Sequence, residues 1–244
     1  MIRVENLIYR YETGSPDCLR GVTLDIAEGV HTALIGPNGS GKTTLIKHLN
    51  ALLFPDAGTV CVDGMMSTDT SSIREIRRRV GMVFQNPESQ IVGMTVEEDV
   101  AFGPENLALS SAEIRRRVDA CLAMVGMTGF EKRAPHTLSG GEKRLLSIAG
   151  VVAMDPRYIV FDEPTAYLDP AAKQRVLAII RRLNREGMAI IHIAHDMGDV
   201  AEADRVVVID RGQVLLTGTP AEVFGEAERL TAIGLNALPE RDGR

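Results

Sequence analysis

The eight-residue run Gly36-Pro37-Asn38-Gly39-Ser40-Gly41-Lys42-Thr43 constrains this chain more than any other part of it. Its three glycines let the backbone approach a ligand without side-chain clash. An apolar stretch, residues 31–35, precedes the run, and a helical pattern over residues 42–53 follows it and stops before Pro55. Strand, glycine loop and helix is the order in which free N–H groups and the positive end of a helix dipole face a phosphate. In that setting Lys42 would reach the outer phosphates of a nucleotide, and the Thr43 hydroxyl would ligate magnesium. The plainer reading, a glycine loop that only turns the chain, does not account for the strand and helix on either side.

A second pattern is Tyr158-Ile159-Val160-Phe161-Asp162-Glu163. A continuous apolar strand that ends in two acids sets carboxylates at the C-terminal edge of a parallel sheet, where open α/β sheets bind ligands. Asp162 would hold the magnesium through water, and Glu163 would orient or deprotonate an attacking water. The plainer reading is an acidic pair that caps the turn into Pro164-Thr165. A third pattern is Leu138-Ser139-Gly140-Gly141-Glu142. Ser139 suits a helix N-cap and the glycines leave N–H groups open. Taken alone, this is a plain loop-to-helix junction.

Around these motifs the chain alternates. Residues 2–9, 22–26, 31–35 and 58–62 read as strands, 73–79 as a short helix and 80–84 as a buried strand. Residues 86–137 differ, with few β-branched runs and helical patterns at 95–102 and 112–125. Ser110 or Ser111 would cap the second pattern, with Glu113 in its first turn. After Gly141 helices are expected at 142–153 and 170–184, and strands at 158–161, 189–193, 206–209 and 214–216. The turn Asp210-Arg211-Gly212-Gln213 joins the last two strands. The predicted fold is α/β, a mainly parallel sheet with helices on both faces. It is read as one domain, with a core of 1–86 and 138–225, a helical insert at 87–137 and a tail at 226–244.

The 244 residues suffice for one large domain, and the formal net charge of −6 argues against a nucleic-acid partner. The clusters Arg77-Arg78-Arg79, Arg115-Arg116-Arg117 and Arg181-Arg182 read as solvated helix faces, with a contact to a partner or to lipid headgroups as the sharper alternative. Cys18, Cys61 and Cys121 share no metal-ligand spacing with His31, His48, His136, His192 or His195, so reduced cytosolic thiols are expected. His192 lies inside a strand and is read as a core or sheet-face residue. No secretory signal is visible, and no segment approaches the ~18 apolar residues that a membrane span needs. A membrane role would therefore act through a partner.

Taken in order, these motifs resemble the nucleotide-binding domain of ATP-binding-cassette (ABC) transporters over about residues 2–224. Gly36 to Thr43, with Thr44 beside them, match the Walker A loop, and Gln85 the Q-loop glutamine. Leu138 to Glu142 match the signature motif, and Asp162 and Glu163 the Walker B pair. Ala166-Tyr167-Leu168-Asp169 matches the D-loop and His195 the switch histidine. The resemblance implies a P-loop NTPase (RecA-like) core with an N-terminal antiparallel β subdomain, ATP and Mg2+ as ligands, and head-to-tail dimers that sandwich each ATP. Glu163, His195 and Gln85 would be catalytic, and Thr43, Gln85 and Asp162 would serve the metal. Ser139, Gly140 and Gly141, with Glu142, would meet the γ-phosphate of the second subunit's ATP, and Asp169 would communicate across the dimer. Tyr11, with Tyr9 as runner-up, would stack on adenine. Glu142 stands where many members carry glutamine, and no loss of activity is expected from it. Tyr167 is bulkier than the usual D-loop residue, which would alter communication between sites.

The wording from Val83-Phe84-Gln85-Asn86-Pro87 through Met94-Thr95-Val96-Glu97 to Phe102-Gly103-Pro104 resembles the energy-coupling-factor subgroup, which includes cobalt, nickel and vitamin importers. That resemblance implies an ATPase subunit at the cytoplasmic face of the cell membrane, paired with a second ATPase subunit that is identical or a paralogue. The pair would drive a transmembrane coupling protein joined to a substrate-binding membrane subunit. Many members have a longer C-terminal helical region, whereas residues 227–235 here leave room for one short helix. Another transporter class, or a soluble non-transport ABC protein, is the competing expectation. The single cassette, the modest insert and the acidic balance speak against the soluble class.

Overall fold

The computed structural model describes residues 1–194 and 196–235. His195 and residues 236–244 of the expected tail lie outside the described residues. The first half contains β1 (Ile2–Tyr9), β2 (Leu19–Ile26), β3 (His31–Ile35), α1 (Lys42–Leu49), β4 (Ala57–Val62), β5 (Met65–Met66), α2 (Ile73–Arg79) and β6 (Val80–Val83). Helices α3 (Val96–Asn106), α4 (Ser111–Val125) and α5 (Gly140–Val152) follow, then β7 (Tyr158–Asp162), α6 (Pro170–Arg185) and β8 (Ala189–Ile193). The chain continues with β9 (Arg205–Asp210), β10 (Gln213–Gly218), α7 (Pro220–Gly225) and α8 (Ala227–Ala232).

Two sheets form, and hydrophobic patterning separates them. In β1 and β2 buried residues such as Ile2, Val4, Val22, Leu24 and Ile26 are interspersed with exposed ones, as in a sheet with one wet face. These strands pair antiparallel in the order β2-β1-β4-β5. By contrast β3, β6, β7 and β8 are buried along their whole length, as the apolar runs require. They lie in a six-stranded sheet of order β10-β9-β3-β8-β7-β6, parallel except for β10. The turns that leave β3, β6, β7 and β8 therefore share one edge of this sheet.

Helices α3, α4 and α5 pack through a common core that includes Val96, Val100, Val118, Leu122, Leu145 and Ile148. Their starts follow side-chain chemistry. Thr95 and Glu98 form a capping box on α3, Ser110 rather than Ser111 caps α4, and Asp169 caps α6.

Several boundaries differ from expectation. α1 ends at Leu49, not at residue 53, because Ala51 takes φ 55° and the N–H groups of Leu52 and Leu53 both return to the Lys47 carbonyl. α3 continues past Gly103 through Pro104 to Asn106, where the proline sits in the last turn and costs one backbone bond. β2 starts at Leu19, three residues early, and α5 starts at Gly140, directly after its cap. The β9–β10 turn holds Arg211 at φ 46° and Gly212 at φ 78°, the pair of positive values that suits a two-residue hairpin.

The arginine clusters are largely engaged with acids on their own or neighbouring helices, including Arg79 with Glu75, Arg116 and Arg117 with Glu113, Arg115 with Asp119 and Arg182 with Glu186. His192 is fully buried in β8 and stacks on His31 of β3, with ring centroids 5.8 Å apart and 13° between planes. Burial pushes His31 down to about 4 and His192 down to about 3, so both rings are neutral near pH 7.

Candidate active site

The glycine loop leaves β3 and runs into α1. Gly36 has φ 152° and Gly41, the N-cap of α1, has φ 105°. A Cβ on Gly36 would lie 2.0 Å from the Ile209 carbonyl oxygen, and one on Gly41 would lie 3.0 Å from that of Cys18. Gly41 offers no side-chain cap, so no side chain claims the first N–H groups of α1 in the way a serine cap would. The Lys42 ammonium donates to the carbonyls of Gly36, at 2.8 Å, and Pro37, at 2.9 Å. Burial lowers its pKa, and the carboxylates of Glu163 and Asp162 act in the opposite sense. Gly212 of the last hairpin donates its N–H to the Ser40 carbonyl at 2.9 Å and accepts from the Arg20 N–H at 2.8 Å, which ties both sheets to the loop.

The acid pair stands beside this loop. Thr43 Oγ1 donates to Asp162 Oδ1 at 3.2 Å. Asp162 is 5 % exposed, and burial raises its pKa against the bond from Thr43. Glu163 has φ 49°, a left-handed conformation that costs energy outside glycine and asparagine and that is found at functional turns. Its Oε2 accepts from Gln85 Nε2 at 2.6 Å. Gln85 belongs to the turn after β6, so the ends of β3, β6 and β7 bring Thr43, Asp162, Glu163 and Gln85 together. The hydroxyl of Thr43 and the carboxylate of Asp162 are hard oxygen donors that suit a small divalent cation. Among the described residues no group of three or more His, Cys, Asp or Glu could hold a metal alone.

Tyr11 is 58 % exposed, and its hydroxyl pairs with Thr44 Oγ1 at 2.9 Å. Tyr9 packs edge-on against both Tyr11 and His48. The ring left open for stacking is therefore that of Tyr11.

The Ser139 turn stands apart. Ser139 Oγ accepts from the Glu142 N–H at 3.3 Å, and Glu142 Oε2 accepts from the Ser139 N–H at 2.7 Å. These bonds hold the Glu142 carboxyl below its usual range. A Cβ on Gly140 would meet nothing within 4 Å. Among the described residues no hydrogen bond or ion pair joins Ser139, Gly140 or Gly141 to the glycine loop. Asp169, expected to act between subunits, uses Oδ1 to accept from the N–H groups of Ala171, at 2.9 Å, and Ala172, at 3.0 Å. Tyr167 is 97 % exposed with φ 62°. Sequence reasoning missed Arg144, which is 2 % exposed and donates to the carbonyls of Phe84 and Gln85. It also missed Lys173, which bridges Asp196 and Asp199 at 2.7 Å each. Nothing local marks either residue, because a basic residue in an amphipathic helix reads as solvated.

Residues 19–166 match the family model described as ABC transporter. The chain belongs to the ABC transporter family. As an ABC ATPase it binds and hydrolyses ATP, and cassettes of this family dimerise. ABC relatives include the cobalt import ATP-binding protein CbiO of Syntrophus aciditrophicus, 54 % identical over 235 residues that cover 96 % of this chain and 84 % of the relative. The energy-coupling factor transporter ATP-binding protein EcfA1 of Symbiobacterium thermophilum is 54 % identical, covering 91 % of this chain and 77 % of the relative. Among solved ABC structures, cbiO1 from Clostridium perfringens, part of the complex cbiONQ, superposes with a TM-score of 0.85 at 37 % identity and covers 96 % of this chain and 94 % of that one. The dimeric post-hydrolysis state of the cassette MJ0796 bound to ADP and Pi gives 0.81 at 29 % identity and covers 90 % and 99 %. No helix among the described residues is long and apolar enough to cross a membrane.

Proposed function

We propose that this chain is the ATP-hydrolysing subunit of an importer of the energy-coupling-factor type, one of two ATPase subunits held at the cytoplasmic face of a membrane by a transmembrane coupling protein. The observation that carries the catalytic reading is the 2.6 Å hydrogen bond between Gln85 and Glu163, beside the Thr43–Asp162 pair. The names of the relatives, cobalt import and energy-coupling factor proteins, support the transport reading. A transition metal ion or a vitamin is the cargo class, taken up by a separate membrane subunit.

In this mechanism the loop Gly36, Pro37, Asn38, Gly39, Ser40, Gly41, Lys42, Thr43 and Thr44 wraps the phosphates, and Tyr11 stacks on the adenine. Lys42 trades its two loop carbonyls for phosphate oxygens. Thr43 and Asp162, with Gln85 nearby, would hold Mg2+, which supplies positive charge for the β- and γ-phosphates. Glu163 accepts a proton from the attacking water as the water oxygen bonds to the γ-phosphorus and ADP departs. Gln85 fixes the carboxylate for that transfer, and His195 bonds the γ-phosphate. The second ATPase subunit contributes Ser139, Gly140, Gly141 and Glu142, and Asp169 faces that subunit across the dimer. The catalytic core spans 1–86 and 138–225 and the helical insert 87–137. Val92, Met94 and Phe102, whose side chains are exposed, lie in the stretch against which the coupling protein docks.

Glu163→Gln tests the reading. It keeps the shape and removes the base, so hydrolysis should fall by about 10²- to 10⁴-fold while ATP affinity stays within a few-fold. Normal turnover in that variant would sink the assignment. Co-purification from membranes with a small integral protein tests the transport half, and a soluble pool bound to DNA or ribosomes would contradict it.

A further inference from the structure

Arg144 is 2 % exposed, and among the described residues no carboxylate lies within ion-pair distance of it. Arginine is rarely buried without a partner charge, because desolvation is costly. Here the Asp162 carboxylate acts on it from beyond ion-pair distance and two successive carbonyls receive it: Nη1 donates to Phe84 O and Nη2 to Gln85 O, while among the described residues Nε has no hydrogen-bond partner. An apolar side chain of similar length would fill the space without that cost, so what the guanidinium adds, beyond its charge near Asp162, is position. A planar fork on two consecutive carbonyls fixes both the direction and the height of the Gln85 backbone, which an ammonium cannot do.

The rest of the turn is arranged to match. Gln90 holds the other side of the same strand end, accepting from the Phe84 N–H at 3.1 Å and donating to Met82 O at 3.1 Å. Lys143, next to Arg144, adds an exposed pair to Glu88 that contributes little by itself. Arg144 lies in the second turn of α5, the helix that Ser139 caps. Gln85 in turn reaches Glu163.

We propose that Arg144 is a positioning residue that seats Gln85, and through Gln85 the carboxylate of Glu163, on the helix that begins with the Ser139 turn. The inference rests on the proposed roles of Glu163 and Gln85. A movement of the Ser139 turn is passed to the hydrolytic carboxylate of the same chain through two side chains and one peptide unit.

The test is a double-mutant cycle on Mg-ATP hydrolysis by the full chain, in its membrane complex if turnover requires it. Arg144→Lys keeps the charge and loses the fork. Its kcat should fall by about 10- to 100-fold with the KM for ATP within about threefold, as a misplaced catalytic group predicts. Combined with Gln85→Ala it should cost nothing beyond Gln85→Ala alone, because both changes remove one connection. Losses that multiply, or a full rate in Arg144→Lys, would overturn the proposal. A second measurement leaves Arg144 in place: Ser139→Ala should speed amide exchange at Gln85 and Asn86, and unchanged exchange there would also overturn it. If the unaltered chain is inactive, or Glu163→Gln is not impaired, it is the reading of the site that fails. If both behave as expected and only Arg144→Lys keeps its rate, the Arg144 inference alone fails.

Discussion

Two helix starts in this molecule face the same task and are built in opposite ways. α1 begins at Gly41 without a side-chain cap and with no acid in its first turn, and Lys42 is its first residue. α5 begins at Ser139 with a complete capping box, and its first turn carries the acid Glu142. The first has the character of an anion receptor, with no side-chain cap among the described residues and a cation as its first residue. The second is already satisfied inside one chain and presents a negative side chain. This contrast explains why a single chain offers only half of the proposed site. In the proposed site α1 takes the phosphate of its own chain's nucleotide, and the Ser139 turn meets the phosphate of the second subunit's nucleotide.

Four measurements bear on that contrast. The largest effect sets the pH window in which the two ends can be compared at all. His31 and His192 lie in the sheet behind them with folded values of about 4 and about 3, against an ordinary value of 6.5. Depressed histidine values mean that stability is full above pH 6.5 and is lost as pH falls toward 4, by on the order of 3 kcal/mol for His31. Denaturant melts across that range should show the fall, and His192→Leu should make it shallower. A slope unchanged by that substitution would contradict the neutral buried pair.

Next comes Lys42→Ala, which removes charge-assisted bonds worth about 1.5–3 kcal/mol and should weaken ATP binding by about 10- to 150-fold in a titration with a fluorescent nucleotide. Equal affinity would erase the special status of the α1 end. Ser139→Ala should cost about 1 kcal/mol of stability through the lost cap, a melting shift of about 2–4 °C, with the ATP affinity of the single chain unchanged. A drop in that affinity would mean that the Ser139 turn serves its own chain's nucleotide. The smallest effect belongs to Glu142→Gln, since glutamine also completes a capping box. Its melting temperature should move by less than the Ser139→Ala shift, and hydrolysis should hold or rise slightly as the negative charge leaves.

The β3–loop–α1 unit and the strand ending in Asp162 were legible in the sequence because each is local. Periodicity, glycine spacing and a terminal acid pair all lie within short stretches of chain. The end of α1 was not, since Ala51 carries no mark of its φ of 55°, and only the return of two N–H groups to Lys47 reveals the stop. The helical pattern read over residues 95–102 stops short of the end of α3, which runs through Pro104 to Asn106, because a proline in a final turn forfeits one bond while the packing of Val96 and Val100 persists. Gln85 and Glu163 could each be named from motifs, but their contact depends on the pairing of β6 with β7, which no local pattern encodes. Arg144 is the clearest gap, because the carbonyls it serves lie 60 and 59 residues away in the chain.

The hairpin between β9 and β10 limits what can be done to this chain. Surface hairpin tips usually accept inserted residues, tags and graft sequences. This one does not have that freedom, since Gly212 bonds Ser40 and Arg20 and a Cβ there would sit 2.4 Å from the Cys18 carbonyl oxygen. The tip behaves as a keystone between the two sheets and the glycine loop. Drift and engineering alike should spare it, and length variation among functional sequences should fall on other turns.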